Sequence, residues 1–206
     1  MLAFYGLSIA RTLPAIATKL ESAEFNTINF EFVTLLLAQI AGVVFLGLVL
    51  VFLVLRSPAK SKAKGLVPRV MAFCGTYLGA AILWLPPQPM NVRLSLISLF
   101  LILGGVVFSA ISLAHLGRSF SLMAEARRLV TDGPYALVRH PLYFGEAVSM
   151  LGLTLQFHSP LAFTLMAMQF AFQFQRMKNE EHVLAEQFPE YGAYCLRTAR
   201  VLPGLY

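Results

Sequence analysis

Residues 32–55 form a continuous apolar run without a charged side chain. At about 1.5 Å per helical residue, this run is long enough to cross the ~30 Å hydrocarbon core of a bilayer as one helix. Apolar residues make up 58% of the sequence and charged residues only 13%, which is far from the composition of an ordinary soluble domain. The sequence therefore predicts an integral membrane protein.

Four further apolar segments follow this run, and they comprise residues 70–85, 94–116, 141–157 and 161–175. The last two are separated by His158, Ser159 and Pro160, a break that predicts a tight helical hairpin. We therefore predict an all-α, polytopic membrane protein with about five transmembrane helices, the last two forming the hairpin. The segment 94–116 is rich in small residues that favour close helix packing: Gly104, Gly105, Ser109, Ala110 and Ser112.

The N-terminal segment, residues 1–31, holds a short apolar stretch interrupted by Arg11 and Pro14, and then a patch with three glutamates. Because this segment is too short and too interrupted to cross a bilayer, we predict an interfacial helix. Residues 32–116 then form three transmembrane helices. The sequence contains no second soluble domain, so we predict that residues 1–206 form a single membrane domain.

Basic residues are concentrated in the loops 56–69 and 117–139 and after residue 175. The positive-inside rule assigns these parts to the cytoplasm and leaves only Arg11, Lys19 and Arg93 on the other side. The distribution predicts an outside N-terminus and a cytoplasmic, helical C-terminal tail. The net charge of +6 fits this topology better than it fits a nucleic-acid partner.

The most informative segment is GPYALVRHPLYFGE, residues 133–146. It starts with a Gly-Pro turn signal, and Pro141 stands where a proline can begin a helix. Arg139 and His140 therefore lie at a membrane boundary, where ionisable groups are paired or face a cavity. A lone arginine there would only anchor the helix end to lipid headgroups, but the whole cluster, with Glu146 further inside, indicates a functional site.

The predicted hairpin brings both of its ends to the same membrane face. Its polar start then approaches a second polar group near its end, formed by Arg176, Glu180 and Glu181. For Arg176 and Glu180 alone, a solvated i,i+4 ion pair worth about 0.3–0.5 kcal/mol is the simpler interpretation. Paired acids beside paired basic residues favour a site instead.

Five motifs occur in a fixed order in the second half of the chain: LGRSFS, LVTDGPYALVRHPLYFGE, R-x-x-x-E-E, F-P-E-Y-x-x-Y and a closing L-P-G. In this order the sequence resembles the isoprenylcysteine carboxyl methyltransferase family and its phospholipid methyltransferase relatives. The resemblance covers roughly residues 116–206, whereas the first half is similar only in its apolar spans.

The resemblance implies a membrane enzyme that binds S-adenosylmethionine at its cytoplasmic face and methylates a lipophilic or lipidated acceptor. Residues 117–206 would then be its cofactor-binding and catalytic region, and no metal site is expected. The implied location is the plasma or inner membrane of a prokaryote, or an endomembrane of a eukaryote. The implied catalytic positions are Arg139, Arg176 and Glu181. The implied cofactor-binding positions are Gly133, Pro134, Tyr135, Val138, His140, Pro141, Tyr143 and Glu180.

Methyl transfer from a sulfonium is an in-line displacement that requires alignment and a suitable electrostatic setting. A carboxylate acceptor, such as the α-carboxylate of a prenylcysteine, is already nucleophilic and needs no strong base. Arg139 and Arg176 would position it by bidentate hydrogen bonds. Tyr135 or Tyr143 would face the sulfonium through a cation–π contact.

Several alternatives remain open at this point. The acceptor could instead be a phospholipid amine, for which Glu181 or Glu146 would serve as base, or a small thiol. A membrane-embedded reductase that uses NADPH would have a similar C-terminal hairpin. A non-enzymatic transporter is disfavoured, because charged or broken helices would be expected near the midplane of more than one span, whereas here the charges lie at one face.

Overall fold

The computed structural model describes residues 2–21, 30–86 and 88–204 of the chain. The architecture is mostly helical, as predicted. The helices are α1 (Leu2–Glu21), α2 (Phe30–Leu55), α3 (Val67–Tyr77), α4 (Val92–Leu116), α5 (Pro141–Phe157), α6 (Pro160–Gln187) and α7 (Tyr191–Cys195). Short 3₁₀ helices cover Leu78–Trp84, Gly117–Ser119 and Gly133–Ala136. Two very short strands, β1 (Ser61–Lys62) and β2 (Glu125–Ala126), pair antiparallel.

In the described part of the chain, three helices are long and apolar enough to cross a membrane: Leu36–Leu55, Val67–Trp84 and Val92–Ser119. They coincide with the first three predicted spans. The predicted hairpin is also present, since α5 ends at Phe157 and α6 begins at Pro160. The Ser159 side chain caps α6 by accepting a hydrogen bond of 3.1 Å from the Ala162 N–H. That both hairpin arms span the membrane stays a prediction, as does the total of five spans.

Helix α1 continues through Pro14 to Glu21, so the interruptions seen in the sequence do not break it. It lies antiparallel to α2. Tyr5 near its start belongs to the same apolar cluster as Leu53 near the end of α2, whereas Lys19 near its end donates to Gln39 near the start of α2. The predicted interfacial position of residues 1–31 stays a prediction, and residues 1 and 22–29 lie outside the described residues.

Helices α4 and α5 pack extensively against each other through small residues. A Cβ atom added at Gly105 or at Gly145 would collide with the facing helix, which means that only glycine allows this approach. The Ser98 hydroxyl also donates to the carbonyl of Gly152 at 2.8 Å. The predicted role of the small residues is thus confirmed at Gly105, whereas Gly104 has open space where its Cβ would be and takes no part in this contact.

The loops and the C-terminal tail close over the start of α5. The backbone N–H groups of Arg139 and His140 donate to the carbonyls of Ala199 and Arg200, at 2.9 and 3.0 Å. On the other side, the β1–β2 pair ties the loop after α2 to the loop after α4, in the register Ser61 to Ala126. These connections build a polar layer at the ends of α4, α5 and α6.

Candidate functional site

Glu181 joins three basic side chains on one carboxylate. It accepts hydrogen bonds from Arg139 Nε at 3.0 Å and from Arg200 Nη2 at 2.6 Å, and His140 Nε2 lies 3.2 Å from its Oε1. Burial alone would raise the pKa of Glu181, but the hydrogen bonds from His140 and Arg200 and the charge of Arg139 outweigh it and lower the pKa to about 2. Glu181 is therefore ionised throughout the physiological range.

Arg139 has a second set of partners in the tail. Its Nη1 donates to the carbonyls of Cys195 and Thr198, at 3.1 and 2.7 Å. Only 12% of its side chain is exposed. The guanidinium therefore fixes the tail to α6, and this pairing differs from the lipid-anchoring alternative, in which the side chain reaches the headgroups.

A second cluster forms around Glu180. The Tyr143 hydroxyl donates to Glu180 Oε1 at 2.5 Å, and Arg176 Nε donates to the same oxygen at 3.1 Å. The Arg176 guanidinium also stacks over the Tyr143 ring, 5.0 Å from its centroid. The predicted i,i+4 pair is thus present, but Arg176 is buried, which excludes a simple solvated ion pair.

Arg176 also connects this cluster to two other parts of the chain. Its Nη1 donates to the Thr76 hydroxyl of α3 at 3.1 Å, and its Nη2 donates to the carbonyl of Ser121 at 3.3 Å. Each of its three nitrogens therefore has a partner within the protein. Through these bonds, Arg176 holds α3, α6 and the loop after α4 in one arrangement.

A cleft opens beside both clusters, between the loop after α4, the start of α5, α6 and α7. With its open mouth it encloses about 770 Å³. Its polar and aromatic lining includes Ser119, Ser121, Glu125, Arg127, Arg128, Tyr135, Arg139, His140, Tyr143, Glu180, Tyr191 and Tyr194. It has the chemical character of a site for a small, polar ligand with an aromatic part.

Three residues of the cleft lining each have a buried polar atom with no hydrogen-bond partner among the described residues: the Tyr135 hydroxyl, the Tyr191 hydroxyl and Arg127 Nε. Tyr135 is held in place because its own carbonyl accepts a hydrogen bond of 2.7 Å from the Tyr194 hydroxyl. Burial, followed by the charge of Glu180, raises the pKa of Tyr135 well above its usual value, so its phenol is neutral.

The structure brings together most of the predicted site residues. Tyr135, Arg139, His140, Tyr143 and Glu180 line the cleft. Arg176 and Glu181 do not line it but contact residues that do.

The other four predicted cofactor positions shape the backbone instead. Gly133 has a φ of 56° and packs against the His115 ring, and Pro134 begins the 3₁₀ helix Gly133–Ala136. Val138 forms a bridge to Ala199, and Pro141 is fully buried at the start of α5. They hold the segment that carries Tyr135 and His140.

The sequence reasoning missed two contributions to the site. For the loop that holds Glu125 and Arg127, the sequence predicts only a cytoplasmic location, although both residues line the cleft. The tyrosines Tyr191 and Tyr194 were noted only as part of a motif. The three-residue spacing of these tyrosines on a helix was the available signal, because it places both on one face.

Residues 94–191 match a family model described as phospholipid methyltransferase. A relative from Cupriavidus metallidurans, the cobalt-zinc-cadmium resistance protein CzcN, is 37% identical over 100 residues, which are 46% of this chain and 46% of the relative. Protein-S-isoprenylcysteine O-methyltransferase B from Arabidopsis thaliana is 28% identical over 131 residues, 60% of this chain and 66% of the relative. Protein-S-isoprenylcysteine O-methyltransferase from Schizosaccharomyces pombe is 38% identical over 113 residues, 50% of this chain and 47% of the relative.

The chain thus spans about half the length of CzcN and of the Schizosaccharomyces pombe relative. The matched region 94–191 begins earlier than the predicted resemblance, since it includes all but the first two residues of α4. It contains every residue of the two clusters except Thr76, Arg200 and the tail carbonyls. These matches confirm, over residues 94–191, the resemblance predicted from the motifs.

Proposed function

We propose that this chain, whose residues 94–191 belong with the isoprenylcysteine carboxyl methyltransferases and their phospholipid methyltransferase relatives, is an S-adenosylmethionine-dependent methyltransferase of the membrane. Its active site is the cleft at the end of the apolar helices, and this end faces the cytoplasm. The observation that carries the proposal is that Tyr135, His140, Tyr143 and Glu180, from two motifs distant in sequence, line one cleft.

The residues of the cleft fit the cofactor. S-adenosylmethionine supplies a methyl group bound to a positively charged sulfonium, and it carries an ammonium, a carboxylate and an adenine. The Glu180 carboxylate offers a negative partner for a cation, and the Tyr135 ring and its unpartnered hydroxyl offer a π face and a hydrogen bond. His140 adds a second ring to the lining.

The two clusters would act by positioning. Arg176 and Tyr143 fix the Glu180 carboxylate from two sides, which keeps its charge in a defined place within the cleft. Arg139 and Glu181 fix the tail to the start of α5 and so hold His140 at the lining. Such preorganisation is what an in-line methyl transfer requires from the protein.

Arg139, Arg176 and Glu181 remain our proposed positions for function, but their contacts favour this positioning role over direct contact with the acceptor. The Arg176 nitrogens all have protein partners, and those of Arg139 that face Glu181 and the tail are occupied. If either arginine binds an acceptor carboxylate, as its residue type suggests, it must exchange one of these bonds for the new one.

For the acceptor, we propose a lipophilic carboxylate of the prenylcysteine type. The Arabidopsis thaliana and Schizosaccharomyces pombe relatives are protein-S-isoprenylcysteine O-methyltransferases, which supports this acceptor, and the match to the phospholipid methyltransferase family supports a phospholipid as the alternative. A carboxylate acceptor requires no base. The cleft lies at the ends of apolar helices, where a lipid-anchored group can reach it from the bilayer.

The test uses the purified chain in lipid nanodiscs with radiolabelled S-adenosylmethionine. N-acetyl-S-farnesylcysteine, phosphatidylethanolamine and a short alkyl thiol are offered as separate acceptors. We expect label in the farnesylcysteine product, and we expect alkali to release it as methanol because it is a methyl ester. Arg93→Gln, at the opposite end of α4 from the cleft, serves as the matched control and should keep full activity.

Other outcomes would change the assignment in defined ways. Alkali-stable label in the phospholipid alone would transfer the proposal to an amine acceptor. Absence of transfer to all three acceptors, together with NADPH binding and no heat on titration with S-adenosylhomocysteine, would contradict the methyltransferase proposal.

A further inference from the structure

Arg127 is a buried cation in the wall of the cleft. It directly follows β2, where the backbone is fixed by the β1–β2 pair and by a hydrogen bond of 2.8 Å from the Lys60 N–H to the Ala126 carbonyl. Its side chain is only 4% exposed, and it belongs to the lining. A charge is rarely buried to this extent unless it is paired and hydrogen-bonded.

The pairing of Arg127 within the protein is incomplete. Its Nη2 donates to a Glu125 oxygen, but its Nε is buried and has no partner among the described residues. Glu125 is shared with two other donors, Lys62 at 3.3 Å and the Ser121 hydroxyl at 2.8 Å. One carboxylate thus pairs with two cations, of which Lys62 is mostly exposed and Arg127 is buried.

The Tyr135 hydroxyl belongs to the same lining and is likewise without a partner in the described chain. A guanidinium N–H and a phenol O–H are both donors, and a buried donor that makes no hydrogen bond is costly. A carboxylate complements this pair, since it accepts several hydrogen bonds and binds a guanidinium through charge-assisted contacts.

We propose that Arg127, together with the Tyr135 hydroxyl, binds a carboxylate group in the cleft. This inference rests on the proposed methyltransferase function, which brings two such groups to the cleft. One is the carboxylate of the amino-acid part of S-adenosylmethionine, and the other is the carboxylate of the acceptor. Arg127 is then a binding residue of the site, in addition to those predicted from the sequence.

The experiment compares two nucleosides that differ in the amino-acid part. S-adenosylhomocysteine carries the carboxylate, whereas 5′-methylthioadenosine lacks it. Their affinities are measured by calorimetry on the full chain in nanodiscs, for the wild type, Arg127→Gln, Arg127→Lys and the control Arg93→Gln. If Arg127 binds the cofactor carboxylate, Arg127→Gln lowers the affinity for S-adenosylhomocysteine by about 10- to 100-fold and leaves the affinity for 5′-methylthioadenosine unchanged. The ratio of the two affinities is the readout, because a purely structural role would weaken both equally.

If the acceptor supplies the carboxylate, S-adenosylhomocysteine affinity stays normal in Arg127→Gln. The KM for N-acetyl-S-farnesylcysteine then rises about 10- to 100-fold, and binding of its carboxamide analogue does not change. If Arg127→Gln changes neither the affinity for S-adenosylhomocysteine nor the KM for N-acetyl-S-farnesylcysteine, the inference is overturned and the proposed function stays intact. Failure of the wild type to bind either nucleoside would instead contradict the proposed function and, with it, this inference.

A further variant covers the case in which Arg127→Gln does not fold because Glu125 loses its partner. The double variant Glu125→Gln, Arg127→Gln removes both charges and restores neutrality. This double variant should also lose affinity selectively for the ligand that carries the carboxylate. The inference would be overturned if the double variant and Arg127→Lys lost affinity equally for the ligand that carries the carboxylate and for the analogue that lacks it.

Discussion

The apolar helices α2, α3, α4 and α5 and the polar layer formed by residues 117–140 and 176–204 are stabilised in different ways. The apolar helices expose large side chains such as Phe73 and Phe100, which is the arrangement expected of surfaces that face lipid, and α4 and α5 contact each other through small residues. In the polar layer, buried charges are bound to partners as far as 100 residues away in sequence, as for Arg176 and Thr76. The first region therefore tolerates changes that keep its shape and hydropathy, and the second tolerates few changes of chemistry.

The largest effect is expected for Glu181→Ala, in the polar layer. Removing this carboxylate leaves Arg139, His140 and Arg200 without their common partner. We expect the free energy of unfolding to fall by roughly 3 kcal/mol. This is the lower end of the range for breaking a buried ion pair, because the carboxylate keeps some exposure. Activity should disappear, and limited proteolysis should cut the tail after residue 187. Normal activity with a protected tail would remove Glu181 from its central position.

Arg176→Lys tests the residue that connects the two regions. Lysine keeps the charge but loses the planar group that contacts Glu180, Thr76 and Ser121 at once. We expect turnover to fall by about one to two decades, corresponding to ~1.5–3 kcal/mol, with a smaller change in S-adenosylhomocysteine affinity. The same substitution at Arg139 is the comparison. Nearly normal kcat in both variants would exclude a role for the guanidinium geometry.

Gly145→Ala tests the apolar region, with Gly104→Ala as its matched control. The new Cβ at Gly145 would meet Ser109 and the Gly105 carbonyl, whereas the Cβ at Gly104 would meet nothing. We expect Gly145→Ala to lower stability by about 1–3 kcal/mol through overpacking. Gly104→Ala should be neutral or should gain up to about 1 kcal/mol from helix propensity. Thermal unfolding in detergent distinguishes them, and equal midpoints would contradict the described packing.

The smallest effect concerns pH. The pKa of Glu181 is lowered to about 2 in the folded chain, from an ordinary value of 4.5. Its contribution to stability is therefore complete above the unfolded pKa and is lost as the pH falls from about 4.5 towards 2. The difference in unfolding free energy between the wild type and Glu181→Gln should stay constant from pH 8 to pH 5 and should decrease by pH 3. A difference that already changes between pH 7 and pH 6 would contradict this interpretation.

Much of the fold follows from the sequence because the responsible signals are local. The run 32–55, the break at Ser159 and Pro160 and the continuation of α6 past Arg176 all appear in the structure where they were predicted. The proximity of the two polar groups also followed, since a hairpin must bring its ends together. The helix α1 was less predictable, because its packing along α2 outweighs the interruption that Pro14 represents in the sequence.

The sequence by itself determined that this chain is a helical membrane protein with a resemblance to methyltransferases in its second half, because hydropathy and motif order are read along the chain. Only the tertiary structure decided which of two adjacent glycines faces a neighbouring helix, and that Arg127 lies in the wall of the cleft. It also decided that Arg139 is bound by carbonyls of the tail. The physical reason is that these properties depend on the rotation of each helix and on contacts between distant segments, which are fixed only when all the elements pack together.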